Sequence, residues 1–416
     1  MLLMPPSVSD WVSDDHVARM ISEIVDHQLD VSLVMASYDE LRGYPPYDPR
    51  MLLKVLLLGY CCGIFSSRKL AEACRTHTPF MFLAALQHPD FRTIAAFRKR
   101  HLEIMDDLFD QVLSLCDVAG LVKLGHVSVD GSKFKANASK SKAMSYGRIA
   151  KEMLEQAEAI DAAEDELYGD TTPYEMPEHL RDPKERRRRL DEAKTELERR
   201  AREKNKDAKR ESTRSKPPKD TDQYNFTDPE SRIMKDGATG GFVQAYNVQN
   251  AVDDTEHHII VATDVSNQAA DNPQLLGVTD QIERRLGRKP KKLSADAGYN
   301  AEDNLDGLAE REIDAYIAIG GRESDLVGDA PRGPIPKHYT TRERMARKLK
   351  TKQGKAVYKR RKHVAEPVFG ETKHARGFRQ FHLRGEDNVR GENKLVALTH
   401  NLRRLHASGR YRPSPA

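Results

Sequence analysis

Three acidic residues stand in contexts that suit the binding of divalent metal ions. Asp130 follows an alternating, β-branched stretch at residues 124–129, and Asp296 follows a short stretch with strand character at residues 292–294. Glu366 comes shortly after the densest basic run of the chain. If the two stretches form neighbouring strands, both aspartates emerge at the same sheet edge, and a helix can bring the glutamate over them.

Such an arrangement predicts phosphoryl-transfer chemistry on DNA. Carboxylate oxygens are the ligands that Mg²⁺ prefers, and Mn²⁺ is expected to substitute for it. Two ions about 3.5–4 Å apart can activate an attacking oxygen and stabilise the leaving one. Taken singly, each aspartate is more simply explained as a turn former after a strand. The hypothesis therefore depends on all three residues meeting.

Cationic side chains near Glu366 favour the same interpretation, because a scissile phosphate needs cations to seat it. Lys373 lies seven residues after Glu366, two turns of a helix, so both can face one side. The other candidates for phosphate contact are Tyr358, Arg361 and Lys362. The alternative is that these cations only bind a backbone nonspecifically.

The net charge of +4 conceals two basic stretches within the 416 residues. Residues 184–219 carry sixteen Lys and Arg against eight Asp and Glu, and residues 342–362 carry eleven against one. The remainder of the chain is therefore acidic. This segregation indicates a polyanionic partner, which we expect to be DNA, although solvated charge runs are the alternative.

Composition argues against a membrane or secreted protein. The N-terminus meets Pro5-Pro6 without a basic region, unlike a signal peptide. The longest apolar run, residues 51–65, contains Lys54 and is too short for a membrane span. None of the four cysteines lies in a CxxC pair, so we interpret them as small buried hydrophobes in a reducing compartment. These features predict a cytoplasmic, nucleoid-associated location with no membrane partner.

The order of predicted elements indicates an α/β fold with a mixed five-stranded sheet and flanking helices. Residues 14–120 have helical periodicity, with Asp48 as the cap of a helix at 49–63 and Thr93 as the cap of one at 94–101. The later elements are a polar helical stretch at 140–220, a hairpin of 242–252 with 256–265, a helix at 272–286, a strand at 315–319 and a final helix near 393–405.

The sequence closely resembles the DDE transposases of bacterial insertion sequences, particularly the IS1182 and IS5 groups of the wider IS4-like set. The matching motifs occur in order along nearly the whole chain. They are residues 47–54, 63–70 and 89–98 in the helical part, and residues 129–133, 224–229, 246–249, 295–299 and 366–370 beyond it.

This resemblance implies an RNase H-like fold and Mg²⁺-dependent DNA cleavage and strand transfer at terminal inverted repeats. It implies that Asp130, Asp296 and Glu366 are the catalytic triad, with two bound ions, and that Lys373, Tyr358 and Arg361 form the phosphate-binding signature. The sequence departs from that signature, because four residues instead of three separate Arg361 from Glu366. Either Lys362 takes the arginine's place, or the helix adjusts locally.

We expect four regions: a helical DNA-binding domain at 1–120, a catalytic domain at 121–139 and 221–406, a basic helical insertion at 140–220, and a flexible tail at 407–416. Arg98 and Arg100 are candidates for DNA contact on a recognition helix. The alternative is that they solvate an amphipathic helix. Synapsis of two DNA ends implies a working homodimer.

Two other functions remain open from the sequence. A stand-alone metal nuclease of the same fold would cleave without joining, and a transposon-derived DNA-binding protein would do neither. The presence of all three acidic residues argues against the second.

Overall fold

The computed structural model describes residues 7–38, 47–138, 143–153, 183–206, 216–235, 240–320 and 331–411. The chain divides into two compact units, Met1–Phe134 with Tyr246–Ala416, and Lys135–Ala245. The four regions expected from the sequence stay a prediction.

The first part of the larger unit is helical. Its helices are α1 Val17–His27, α2 Ser32–Ala36, α3 Pro49–Cys62, α4 Ser67–Thr76, α5 Thr78–Leu83, α6 Phe91–Arg100 and α7 Met105–Val118, after a 3₁₀ helix at Val8–Trp11. The Asp48 side chain accepts from Arg50 N at 2.8 Å to begin α3, which ends at Gly63 in the left-handed region. That prediction is confirmed. The prediction for α6 is wrong, because Asp90, three residues before Thr93, provides its cap.

Eight strands follow within the described residues: β1 Val127–Lys135, β2 Ala143–Ser145, β3 Gln223–Asn225, β4 Arg232–Lys235, β5 Phe242–Asp253, β6 Ile260–Ser266, β7 Lys292–Ala295 and β8 Asp314–Ile317. The main sheet has the order β4-β5-β1-β7-β8, and β6 also pairs with β5. The β5–β6 hairpin is antiparallel, as predicted, whereas β7 is parallel to both β1 and β8. The sheet has six strands instead of five, because β4 is too short to give a clear sequence pattern.

Besides a helical segment at residues 146–153, later helices are α8 Pro183–Asn205, α9 Leu275–Leu286, α10 Glu302–Glu310, α11 Thr341–Lys350, α12 Lys352–Val364, α13 Glu366–Gly370 and α14 Glu386–Ala407. Helix α14 is central to the larger unit, with contacts to α3, α7 and β6. Its leucines are fully buried, and each contributes about 1.5–3 kcal/mol of hydrophobic stabilisation. Asn401 donates to and accepts from the Ile260 backbone, at 2.9 Å each, which fixes α14 on the sheet.

The smaller unit has its own apolar cluster. Leu190, Ala193 and Leu197 of α8 pack with Ile149 and Phe226. The other face of α8 carries ion pairs along the helix, as when Arg188 contacts Glu185 and Glu192. Arg199 likewise contacts Glu196 and Glu203. The arginines of α8 therefore resemble a charged, self-paired helix surface more than a phosphate-binding cluster.

Two features bear on the composition arguments. Cys61, Cys74 and Cys116 are buried thiols, as predicted, but Cys62 is exposed. Among the described residues no single helix combines the length and hydropathy of a membrane span, and only the pair α3 with α4, bent by 101°, satisfies length and composition together.

Candidate active site

Asp130 lies in the middle of a strand. The sequence predicts that the strand ends at residue 129, but β1 continues to Lys135 because β5 pairs along its other edge. Strand β1 is in parallel register with β7, with Val127 opposite Leu293 and Ser128 opposite Ser294. Continuing that register by two residues brings Asp130 alongside Asp296, which directly follows β7.

The backbone around each aspartate orients its carboxylate. Gly131 N donates to Asp130 Oδ1 at 3.0 Å. Asp296 caps the 3₁₀ turn Ala297–Tyr299, since its Oδ1 accepts from Gly298 N at 2.8 Å. The Asp130 side chain is only 15% exposed. Burial raises the pKa of Asp130 to about 7, with further upward contributions from Asp296 and Glu366 against the lowering effect of Arg361.

Glu366 is the first residue of α13, and Pro367 follows at a position where a helix tolerates its missing N–H. Helix α12 ends at Val364, so a single residue, Ala365, separates the two helices. The Glu366 side chain is half exposed.

Arg361 of α12 lies between two of the three carboxylates. Its Nη1 is 3.6 Å from Asp130 Oδ2, and its Nη2 is 3.8 Å from Glu366 Oε1. The guanidinium is buried, and its Nε has no hydrogen-bond partner among the described residues. It also lies 5.7 Å from the Tyr358 ring centroid. Arg361, with Tyr358 beside it, therefore faces the carboxylates, whereas Lys362 is exposed.

The break between α12 and α13 explains how the extra residue before Glu366 is accommodated. In a continuous helix, the one extra residue between Arg361 and Glu366 would turn the Glu366 side chain about 100° further around the helix axis than the usual spacing does. Because α12 stops at Val364 and α13 begins anew, both side chains reach the same point. This geometry favours the local adjustment of the helix over a substitution by Lys362, and the roles of Arg361 and Lys362 in phosphate binding stay predictions.

Lys373 makes contacts to β1 instead of facing Glu366. Its Nζ donates to Ser132 Oγ and to Lys133 O, each at 2.7 Å, and lies 4.4 Å from the Phe134 ring centroid. Lys373 belongs to a π-helical turn, Glu371–Ala375, which alters the two-turn helical spacing assumed from the sequence. The lysine still lies beside the strand that carries Asp130.

The two arginines proposed for DNA contact on α6 differ in burial. Arg98 is buried and donates to Phe65 O at 2.7 Å and to Tyr60 Oη at 3.2 Å. Tyr60 in turn donates to the fully buried Glu392 at 2.8 Å. The expectation that Arg98 lies on a DNA-facing surface is wrong, because its guanidinium is buried and hydrogen-bonded in this network, close to the Glu392 carboxylate. Arg100 is exposed, with its guanidinium 5.6 Å from the Tyr38 ring centroid.

Three carboxylates, from Asp130, Asp296 and Glu366, supply hard oxygen ligands suited to Mg²⁺ or Mn²⁺. Among the described residues, however, no group of three or more acidic, histidine or cysteine side chains has the geometry of a formed metal site. Arg361 supplies the positive charge between Asp130 and Glu366.

Sequence reasoning missed a fourth acidic residue, Asp271, close to these groups. Its Oδ1 accepts from Lys133 Nζ at 2.9 Å, Asn247 Nδ2 at 2.6 Å and Gln249 Nε2 at 2.9 Å. The signal available in the sequence was the motif at residues 246–249, in which two amide side chains alternate on a buried strand. Buried amides of this kind need polar partners.

Comparisons with known proteins agree with these observations. A family model described as a transposase DDE domain matches residues 207–402, which include Asp296, Arg361 and Glu366 but not Asp130. A model described as a transposase domain (DUF772) matches residues 6–100. No curated protein and no solved structure matches the chain.

Proposed function

Because the chain belongs to the DDE transposases, with the two domains in the IS1182-type arrangement, we propose that it cleaves DNA and transfers strands at the terminal inverted repeats of an insertion sequence. The reaction depends on divalent metal ions held by Asp130, Asp296 and Glu366. The core is RNase H-like, which the antiparallel β5–β6 hairpin beside the parallel strands β1, β7 and β8 supports.

One observation carries the proposal. Parallel pairing of β1 with β7 aligns Asp130 with Asp296, while Arg361 contacts both Asp130 and Glu366. Residues more than 230 positions apart in the chain thereby converge on one cation. If the two aspartates only formed turns, their convergence with a buried arginine and with a glutamate from a distant helix would not be expected.

The three carboxylates fit a pair of Mg²⁺ ions, which when bound supply charge stabilisation for the attacking and leaving oxygens of a phosphodiester. Asp130 holds a proton up to about neutral pH in the metal-free protein, since burial raises its pKa to about 7. It must release this proton to become a ligand. Arg361 then changes partner, from the carboxylates to the scissile phosphate, which its planar fork of donors suits.

The basic surface that leads to this site belongs to α12. Four exposed lysines follow one face of the helix at a spacing that covers about 15 Å; they are Lys352, Lys355, Lys359 and Lys362. Tyr358 and Arg361 of the same helix face the carboxylates. DNA that contacts the lysine row is thus led to Glu366, and Lys373 is a further candidate for phosphate contact beside β1.

A strand-transfer assay tests the proposal. End-labelled DNA carrying the terminal inverted repeat is incubated with the full chain, Mg²⁺ or Mn²⁺, and a target plasmid. We expect cleaved and joined products from the parent protein and neither from Asp296→Asn, with DNA affinity within about twofold of the parent. Asp303→Asn, an exposed aspartate on α10, is the matched control and should retain activity.

Each alternative has its own outcome. Cleavage near the parental rate by Asp296→Asn contradicts the assignment of that residue. Cleaved ends that never join the plasmid indicate a stand-alone nuclease. DNA binding by the parent without metal-dependent cutting indicates a DNA-binding protein that has lost catalysis.

A further inference from the structure

Asp271 lies where an aspartate ordinarily caps a helix, but it does not do so. It is the residue before the 3₁₀ turn Asn272–Gln274, and its side chain makes no capping hydrogen bond. Its Oδ1 accepts instead from Lys133 of β1 and from Asn247 and Gln249 of β5. An N-cap would stabilise the turn locally, whereas these contacts commit the carboxylate to the sheet.

Gln249 connects Asp271 to the turn that carries Asp296. The amide nitrogen of Gln249 donates to Asp271 Oδ1 at 2.9 Å, and its amide oxygen accepts from the Tyr299 hydroxyl. Gln249 and Tyr299 are both fully buried. Tyr299 is the last residue of the 3₁₀ turn that Asp296 begins. Because a donor and an acceptor partner occupy opposite ends of the amide, Gln249 has a single favourable orientation, and the position of Asp271 determines where the Tyr299 hydroxyl is held.

The two glycines beside the catalytic aspartates indicate how close this relay lies. A Cβ atom at Gly131 would be 2.6 Å from Gln249 Nε2 and 2.7 Å from Asp271 Oδ1. A Cβ atom at Gly298 would be 3.0 Å from Asp296 Oδ1 and 3.3 Å from Asp271 Oδ2. Asp271 therefore occupies the space beside Gly131 of β1 and beside Gly298 of the Asp296 turn, with one oxygen bound by the relay and the other near that turn.

Lys133 balances the charge of this carboxylate. Its ammonium group is 2.9 Å from Asp271 Oδ1, and both side chains are about four-fifths buried. This ion pair anchors the Asp271 carboxylate to β1. Asp271 is therefore held by β1 and β5 together, at the start of the relay.

We infer that Asp271 is a positioning residue of the proposed transposase site: held on β1 by Lys133, it fixes the Asp296 turn through Gln249 and Tyr299. This inference rests on the proposed function for its catalytic consequence. The positioning itself predicts an effect on metal affinity that does not require DNA.

Two conservative variants of the full chain test the relay. Asp271→Asn keeps the shape of the side chain but removes the charge, and Tyr299→Phe removes only the hydroxyl that Gln249 accepts. Mn²⁺ affinity is measured by titration with Mn²⁺ alone, and kcat and KM are measured for the terminal-repeat DNA. We expect each variant to lower Mn²⁺ affinity and kcat about tenfold, with KM for DNA unchanged. The double variant should cost little more than the stronger single one, because both act on one relay.

Tyr316→Phe is the matched control. Tyr316 is a buried tyrosine on β8, and its hydroxyl donates to Asp314 at 2.8 Å. Asp314 is not one of the three proposed metal ligands. The control should lower the thermal unfolding midpoint as much as Tyr299→Phe does while leaving Mn²⁺ affinity unchanged. If both relay variants bind Mn²⁺ within twofold of the parent and only lose thermal stability, Asp271 is merely structural and the inference is wrong.

The design separates this inference from the proposed function. If the parent protein binds Mn²⁺ but does not cut DNA, the proposed function fails, and a tenfold loss of Mn²⁺ affinity in the variants still supports the relay. If the parent cuts and joins DNA and both variants do so at the parental rate, the relay fails while the proposed function holds.

Discussion

Replacing Asp130 with asparagine should stabilise the metal-free protein at pH 8 while removing a catalytic ligand. Burial raises the pKa of Asp130 from 3.8 to about 7. The unfolded chain releases this proton near pH 4 and the folded protein keeps it to about pH 7, so stability present at low pH is lost as the pH rises between these values. At pH 8 the loss amounts to about 4 kcal/mol, at 1.36 kcal/mol per pH unit.

Asparagine mimics the protonated carboxyl and avoids that loss. We therefore expect Asp130→Asn in EDTA to match the parent near pH 4 and to exceed it at pH 8 by up to about 4 kcal/mol, a rise of roughly 8 °C in the unfolding midpoint. The assay is thermal unfolding of both proteins across pH 4–8. An unfolding midpoint that is unchanged or lower at pH 8 would refute the reasoning that a buried, metal-free carboxylate destabilises this site.

Asp254→Asn is a control of opposite sign. Asp254 is buried, which by itself would raise its pKa, but hydrogen bonds from Arg360 and His126 lower the pKa below its ordinary value. Its contribution to stability is present above the unfolded pKa of about 4 and is lost as the pH falls through the folded value. Asp254→Asn should therefore destabilise the protein at pH 8, and the difference should fade toward low pH.

Three further predictions concern the cations. Arg361→Met should destabilise the metal-free protein by up to about 1.4 kcal/mol at pH 8, because Asp130 without this counter-ion stays protonated one pH unit above its present pKa of about 7. Mn²⁺ should restore the unfolding midpoint, and no loss in EDTA would contradict this. Arg98→Met should lower the unfolding midpoint without changing the salt dependence of DNA binding. Arg100→Met should leave the unfolding midpoint nearly unchanged, and a shallower salt dependence in that variant would indicate that α6 contacts DNA. Neutralising three lysines of α12 together should make the slope of log DNA affinity against log salt concentration shallower by about 3. The combined substitutions are Lys352→Gln, Lys355→Gln and Lys359→Gln. An unchanged slope would exclude this face of α12 as a DNA-binding surface.

The sequence allowed the ends of elements to be predicted where the chemistry is local. Asp48 and Gly63 delimit α3 because capping and left-handed backbone depend on the residue itself. The β5–β6 hairpin was equally accessible, since alternation over two adjacent stretches needs no distant partner. Asp296 was placed correctly after its strand for the same reason.

What the sequence could not give depends on distant residues. Asp130-Gly131 resembles a turn, and only pairing with β5 extends β1 through it to Lys135. Arg98 resembles a surface cation until Tyr60 and Glu392 are brought around it by other helices. The arginines of α8 resemble a phosphate site until their glutamate partners are seen.

Asp271 illustrates the same limit within the candidate site. Beside Asn272-Pro273 it has the local sequence of a helix cap. Its actual partners come from β1 and β5, 138 and 22 to 24 positions away. No local pattern identifies a side chain whose role is set by the pairing of strands.

The most direct test of the account is a crystal structure of the full chain grown or soaked with Mn²⁺, with data collected at the manganese absorption edge. We expect anomalous density coordinated by Asp130, Asp296 and Glu366, with the Arg361 guanidinium displaced from its position between Asp130 and Glu366. Manganese bound elsewhere, or an Arg361 that still contacts Asp130 and Glu366 when the ion is saturating, would contradict it.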